Sequence, residues 1–200
     1  MNRGLMTLTL PHGSGVTTPE LAPDDFAARL GAGDLAALGE AYDRHHAQVR
    51  AFARRLVGDD ASAEDLVQET FVALPSAARA YQGGAAFRTF VLGIAFNHAR
   101  HHVRTAARRR AAMERFAAEP QKGSHDPEGD LTRARLALTL SRALDTLPVD
   151  QRAAFVLCEI EERTSTEAAQ IMGVPEGTVR TRAFHARRRL RVLLAQEGLR

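Results

Sequence analysis

Between Thr164 and Leu190 the chain carries its most restrictive local code: signals for a short helix, a tight turn and a long basic helix. Thr164 stands three residues before Glu167, the spacing at which a hydroxyl and a carboxylate satisfy free backbone N–H groups and start a helix. Gly173 supplies the stop. Only Val174 and Pro175 remain for the turn, and proline is tolerated in the first turn of a helix beginning near Glu176. On that second helix Val179, Ala183, Ala186, Leu190 and Leu193 follow at spacings of four, three, four and three, which makes one apolar stripe. Arg180, Thr181, Phe184, Arg188 and Arg191 project from the other side. A helix-turn-helix is the structure these signals describe. An exposed face of arginines, a threonine and one aromatic suits the DNA major groove, where arginine chelates guanine edges and apolar groups touch thymine methyls.

The composition limits what surrounds this element. Tryptophan is absent and aromatics make up 6% of the 200 residues, while 44% are hydrophobic, so the cores must be built from alanine, leucine and valine on helices. An all-α protein follows. The net charge of +3 understates the basicity, because positive residues cluster: six arginines from Arg100 to Arg115 against Glu114, and seven from Arg180 to Arg200 against Glu197. Both blocks can meet phosphate. The single cysteine, Cys158, lies in an apolar segment and excludes an internal disulfide framework or a cysteine zinc site. No stretch approaches the length of a membrane span, and the apolar run from Leu5 to Leu10 is too short and too broken for a signal peptide, so a cytoplasmic protein without membrane insertion is expected.

Periodicity divides the chain. Residues 1–23 are rich in glycine, threonine and proline without a sustained period and read as a mobile tail. Helical pattern begins near Asp24 and sustains a first module over 24–117. Residues 118–130 hold two prolines, two glycines and several charges, a flexible linker. The second module, 131–200, opens with a helix from about Leu131 to Leu147, breaks at Pro148, resumes through Ala153, Val156, Leu157 and Ile160, and ends in the helix-turn-helix.

Within the first module the run Ala63 to Leu74 has two sides. Leu66, Val67, Thr70, Phe71 and Leu74 form a packing face, while Asp65, Gln68 and Glu69 share a stripe at spacings of three and four. Such an acidic and amide-bearing patch pairs with arginines on a protein partner, or it is an ordinary solvated face; spacing alone fits both. A longer helix, from about Ala86 to Arg110, places Asn97, His101, Arg104 and Arg108 on one stripe.

The segments AEDLVQETFVAL and FRTFVLGIAFNHARHHVRTAARRR, followed by the helix-turn-helix, resemble bacterial extracytoplasmic-function RNA polymerase sigma factors over about Asp24 to Leu194. The resemblance implies that the two modules correspond to sigma regions 2 and 4, joined without region 3. It implies that Asp65, Gln68 and Glu69 grip the clamp helices of the polymerase β′ subunit, with the β subunit as a further core contact, and that Leu66 and Phe71 support that helix from behind. The stripe Asn97, His101, Arg104 and Arg108 would face the minus-ten promoter element, and the loop around Tyr81 and Gln82 would capture a flipped non-template base. Opening DNA costs unstacking and unpairing, which pockets for extruded bases and cationic tracks offset. Phe90 and His101 depart from the family, which commonly has tryptophan and aspartate there. In the second module the resemblance assigns Arg180 and Phe184 to the minus-thirty-five element, with Thr178, Arg182 and Arg187 as neighbouring contacts beside the exposed Thr181 and Arg188. Arg182 borders the apolar stripe, where packing or a phosphate contact are both open.

His98 and His102 have the i, i+4 spacing of some zinc pairs, but no further ligand motif surrounds them; neither metal nor cofactor is expected. No nucleotide loop, nucleophile elbow or carboxylate pair suggests an enzyme. The competing reading is an autonomous helix-turn-helix regulator, which would bind two half-sites as a dimer. The sigma reading instead calls for core polymerase, promoter DNA and, by kinship, an anti-sigma factor as partners.

Overall fold

The computed structural model describes residues 23–114 and 139–196, with side chains for 25–108 and 139–196. The expected linker 118–130, the tail up to residue 22 and the start of the helix expected from Leu131 lie outside the described residues. Helices make up the whole framework, with no strand among the described residues.

The first module is four helices: α1 (Pro23–Gly31), α2 (Leu35–Val57), α3 (Asp60–Ala78) and α4 (Phe87–Glu114). Their ends are set by local chemistry. Asp34 caps α2 by accepting hydrogen bonds from the Ala36 and Ala37 amides at 2.9 and 3.2 Å. Asp59 caps α3 through the Ser62 amide at 2.8 Å. Between them Gly58 ends α2 in the left-handed conformation, φ +90°, with its N–H on the Arg54 carbonyl at 3.0 Å. That left-handed backbone favours glycine, and a Cβ there would stand 2.7 Å from a carboxylate oxygen of Asp145, which would have to swing aside. Buried Phe52 and Leu56 of α2, Leu66, Val67 and Leu74 of α3, and Val91, Leu92 and Phe96 of α4 close the core among these helices.

The second module contains helical residues 139–145, here α5, then α6 (Val149–Phe155), which continues as a π turn over Val156–Ile160, then α7 (Ser165–Met172) and α8 (Glu176–Gln196). Pro148 stands at the start of α6, as the break in the pattern predicts. The π turn is a departure from the regular helix that the spacing of Val156, Leu157 and Ile160 suggests: the Glu161 amide reaches back to the Val156 carbonyl at 2.9 Å, one residue farther than in an α-helix. The α4 helix likewise runs past its expected end at Arg110 to Glu114.

The sequence reading of two modules misses how closely they meet. One continuous apolar cluster runs from Phe26 and Leu30 through α2, α3 and α4 into Ala153, Val156, Leu157, Ile171, Met172 and Val179. A smaller cluster joins Ala143, Leu144 and Leu147 to Ala186 and Leu190. The physical reason lies on α4, whose core-facing side is apolar over more than the width that α2 and α3 cover, so α7 packs on the remainder. Polar ties flank this contact. Arg55 reaches Glu161 at 2.5 Å across 106 residues of sequence. Arg152, only 4% exposed, donates to the Leu56 carbonyl at 2.6 Å and to Asp145 at 2.8 Å. Burial pulls the Arg152 guanidinium below the ordinary arginine value, and the Asp145 carboxylate opposes that shift.

Candidate nucleic-acid and polymerase interfaces

The helix-turn-helix assembles as its local signals dictate. The Thr164 hydroxyl accepts from the Glu167 amide at 3.1 Å and the Glu167 carboxylate accepts from the Thr164 amide at 3.1 Å, the reciprocal capping box. These contacts, the Thr164 backbone first, hold the Glu167 carboxyl below its ordinary value. Gly173 ends α7 at φ +61°, and α8 begins at Glu176. Val179, Ala183, Ala186 and Leu190 are buried and Leu193 half-buried. Arg180, Thr181, Arg187 and Arg188 are exposed, and Phe184, a large aromatic, is 55% exposed.

Arg180 pairs with Glu176 on its own helix, and the Thr181 hydroxyl donates to the Gly177 carbonyl at 2.9 Å. Thr178 is half-buried at the start of the helix. Arg182 differs from its neighbours: half-buried, it reaches Asp150 of α6 at 3.4 Å. Arg187 lies 3.7 Å from Glu159.

On α4, Asn97, His101, Arg104 and Arg108 are all exposed and, together with Arg100 and Thr105, line a depression of about 230 Å³. Arg104 stands 3.6 Å from Asp150. His98 lies off this stripe, with its Nδ1 3.2 Å from the Glu69 carboxylate of α3. The loop before α4 is organised by aromatic packing. Tyr81 sets its ring 4.9 Å from Phe90 and 5.7 Å from Phe87, and its hydroxyl donates to the Ala85 carbonyl at 2.5 Å. Gln82 is exposed, and Gly83 takes φ +71°. Phe90, in place of the family's common tryptophan, fills a partly buried core position.

The third surface lies on α3. Asp65, Gln68 and Glu69 are exposed on one side while Leu66, Val67, Thr70, Phe71 and Leu74 are buried on the other. The buried Thr70 is satisfied by donating its hydroxyl to the Leu66 carbonyl at 2.6 Å. Val72 joins the exposed side, 80% open to solvent.

Sequence reasoning missed Asp150, Arg152 and Arg100. Asp150 and Arg152 follow Pro148 as ordinary first-turn residues, and Arg100 is one arginine among many in its block. Their partners lie on other helices, so no spacing within one helix marks them.

Comparison with known proteins places the chain in a family. Residues 41–109 match the Sigma-70 region 2 model and residues 131–190 match Sigma-70, region 4. The chain is 36% identical to the ECF RNA polymerase sigma factor SigE of Mycolicibacterium smegmatis over 185 residues, covering 90% of this chain and 71% of that protein. It is 30% identical to the ECF RNA polymerase sigma-E factor of Haemophilus influenzae over 177 residues, covering 84% and 93%. Among solved structures, the sigma factor RpoE in complex with the anti-sigma factor NepR from Bartonella quintana aligns with a TM-score of 0.59 at 25% identity, covering 78% of this chain and 96% of that one. CnrH in complex with the cytosolic domain of CnrY aligns at 0.60 and 26%, covering 86% and 97%. These relatives decide between the two readings of the helix-turn-helix, against an autonomous regulator: the chain belongs to the ECF RNA polymerase sigma factors and directs transcription initiation.

Proposed function

We propose that this sigma factor divides its work among the three surfaces. The acidic stripe Asp65, Gln68 and Glu69 docks on arginines of the core polymerase β′ clamp helices, and the β subunit takes a further contact. The α4 stripe of Asn97, His101, Arg104 and Arg108 tracks the minus-ten region, with Tyr81 shaping the adjacent loop and Gln82 offering its amide to an extruded base. The α8 face, Thr178, Arg180, Thr181, Arg182, Phe184, Arg187 and Arg188, reads the minus-thirty-five element. The factor has no catalytic role, because bond formation belongs to the polymerase. It works in the cytoplasm; among the described residues no helix is long and apolar enough to cross a membrane. An anti-sigma partner covers these surfaces until it is released. The complex of the sigma factor RpoE from Bartonella quintana, a protein of this shape, with the anti-sigma factor NepR supports that assignment.

The observation that carries the reading is the division of α3 into a buried apolar side and an exposed acidic side, opposite in charge to the exposed stripes of α4 and α8. Charge complementarity of this kind sets partner and register. In vitro transcription with bacterial core polymerase tests it. The unmutated protein yields specific transcripts, and Asp65→Ala/Gln68→Ala/Glu69→Ala lowers them at least about tenfold, the loss expected when about 1.4 kcal/mol or more of docking energy goes. Equal transcript yield from the triple variant would remove α3 from the core interface.

A further inference from the structure

Asp150, in the first turn of α6, sits among three guanidinium groups contributed by both modules. Its Oδ1 lies 3.2 Å from Arg100 Nε, and its Oδ2 lies 3.6 Å from Arg104 Nη2 and 3.4 Å from Arg182 Nη2. Its side chain is 20% exposed. Arg100 and Arg104 line the depression on α4, and Arg182 belongs to α8. Both Oδ1 and Arg100 Nε are enclosed, yet neither completes a hydrogen bond of good geometry. Arg100 is therefore held by charge, whereas Arg182 donates a hydrogen bond to Oδ2 at 3.4 Å.

An anion with two oxygens among arginines is also what a DNA backbone phosphate offers to the same side chains. We propose that Asp150 is an intramolecular stand-in for a backbone phosphate: it keeps Arg100, Arg104 and Arg182 occupied while the modules are closed, and it yields them when DNA takes its place. Arg100 thereby joins the phosphate-contacting residues. This rests on the reading of α4 and α8 as DNA faces.

Two readouts on the full chain test the clamp and that reading separately. In a Cys158→Ala background, spin labels at Leu35→Cys and Val192→Cys, both exposed sites on the two modules, report the distance between modules without DNA. Binding of a fluorescent DNA duplex without polymerase, titrated with salt, reports the arginines. Asp150→Asn lengthens and broadens the label distance. It tightens duplex binding about fivefold or more, within the usual range of coupling between linked equilibria. It also steepens the salt slope by about 2 to 3, at about 0.9 for each arginine freed to meet a phosphate. Asp150→Glu retains the closed distance. Asp150→Ser, also suited to a first helical turn, reproduces the Asn result.

An unchanged label distance in Asp150→Asn and Asp150→Ser would overturn the clamp. So would an equal affinity gain in Asp43→Asn, which removes the same charge from α2. Opening with no change in affinity or salt slope would overturn the phosphate role, and would point to an error in the DNA reading of α4 and not in the closure.

Discussion

α4 and α8 are both long, basic, and striped with arginine, yet they stand in the molecule in opposite ways. The apolar side of α8 is narrow, built from Val179, Ala183, Ala186 and Leu190, and its arginine face opens outward around Phe184. The apolar side of α4 is broad, with Val91, Leu92, Ala95, Phe96 and Ala99 buried, and it serves as common ground for both modules. Its arginines meet Asp150 across the contact. α8 thus turns most of its arginines to solvent, with only Arg182 reaching Asp150, whereas α4 is a structural axis that sends Arg100 and Arg104 across the junction. A basic stripe alone does not distinguish the two; what lies behind and across from it does.

The same substitution on each helix should separate them most widely. Phe96→Ala empties a fully buried site on α4 and costs about 3–5 kcal/mol, the usual range for such cavities. Phe184→Ala, on the open face of α8, changes stability by less than about 0.5 kcal/mol while weakening minus-thirty-five recognition. Denaturant melts paired with promoter binding by the holoenzyme measure both. Comparable losses of stability would erase the distinction drawn here.

A smaller effect sharpens the local character of the helix-turn-helix. Thr164→Ala removes the hydroxyl that caps α7 and costs about 1 kcal/mol. Hydrogen exchange should rise first in α7, with α2 and α3 unchanged; a uniform rise would mean that the element depends on the whole core.

The smallest effect is a pH dependence at the edge of α4. His45 packs 5.7 Å from Phe87, and burial, with Arg44 and Arg88 adding repulsion, holds it below the ordinary value of 6.5. The unfolded chain therefore binds this proton more readily than the folded one. The stabilising contribution is complete above pH 6.5 and is lost as pH falls through the lowered folded value. The melting temperature of the unmutated protein should fall across that window by more than that of His45→Gln. Parallel curves would assign the acid sensitivity elsewhere.

What could be read from the sequence follows the range of the interactions. The capping box of Thr164 and Glu167, the stop at Gly173, the stripe of α8 and the two sides of α3 all rest on residues within a turn or two of one another, and each stands where its spacing predicts. The stripe of Asn97, His101, Arg104 and Arg108 is exposed for the same reason. Tyr81 was legible as part of the loop but not as a ring packed on Phe90, because that depends on the return of α4. Asp150 gave no signal, since its three arginines come from two other helices, and Arg152 contacts a carbonyl 96 residues away. The π turn at Val156–Ile160 was equally silent, its composition being that of any apolar helix.

Arg152 has a consequence for how readily the two modules part. Its guanidinium supplies a cation at the C-terminal end of α2, where the last carbonyls carry partial negative charge, although it belongs to a helix of the other module. Separation would break those contacts, but it would also return to water an arginine that is now nearly dehydrated, and rehydration of an ion recovers much of what its burial cost. The polar part of the junction therefore acts as a reversible coupling, specific in register and inexpensive to undo.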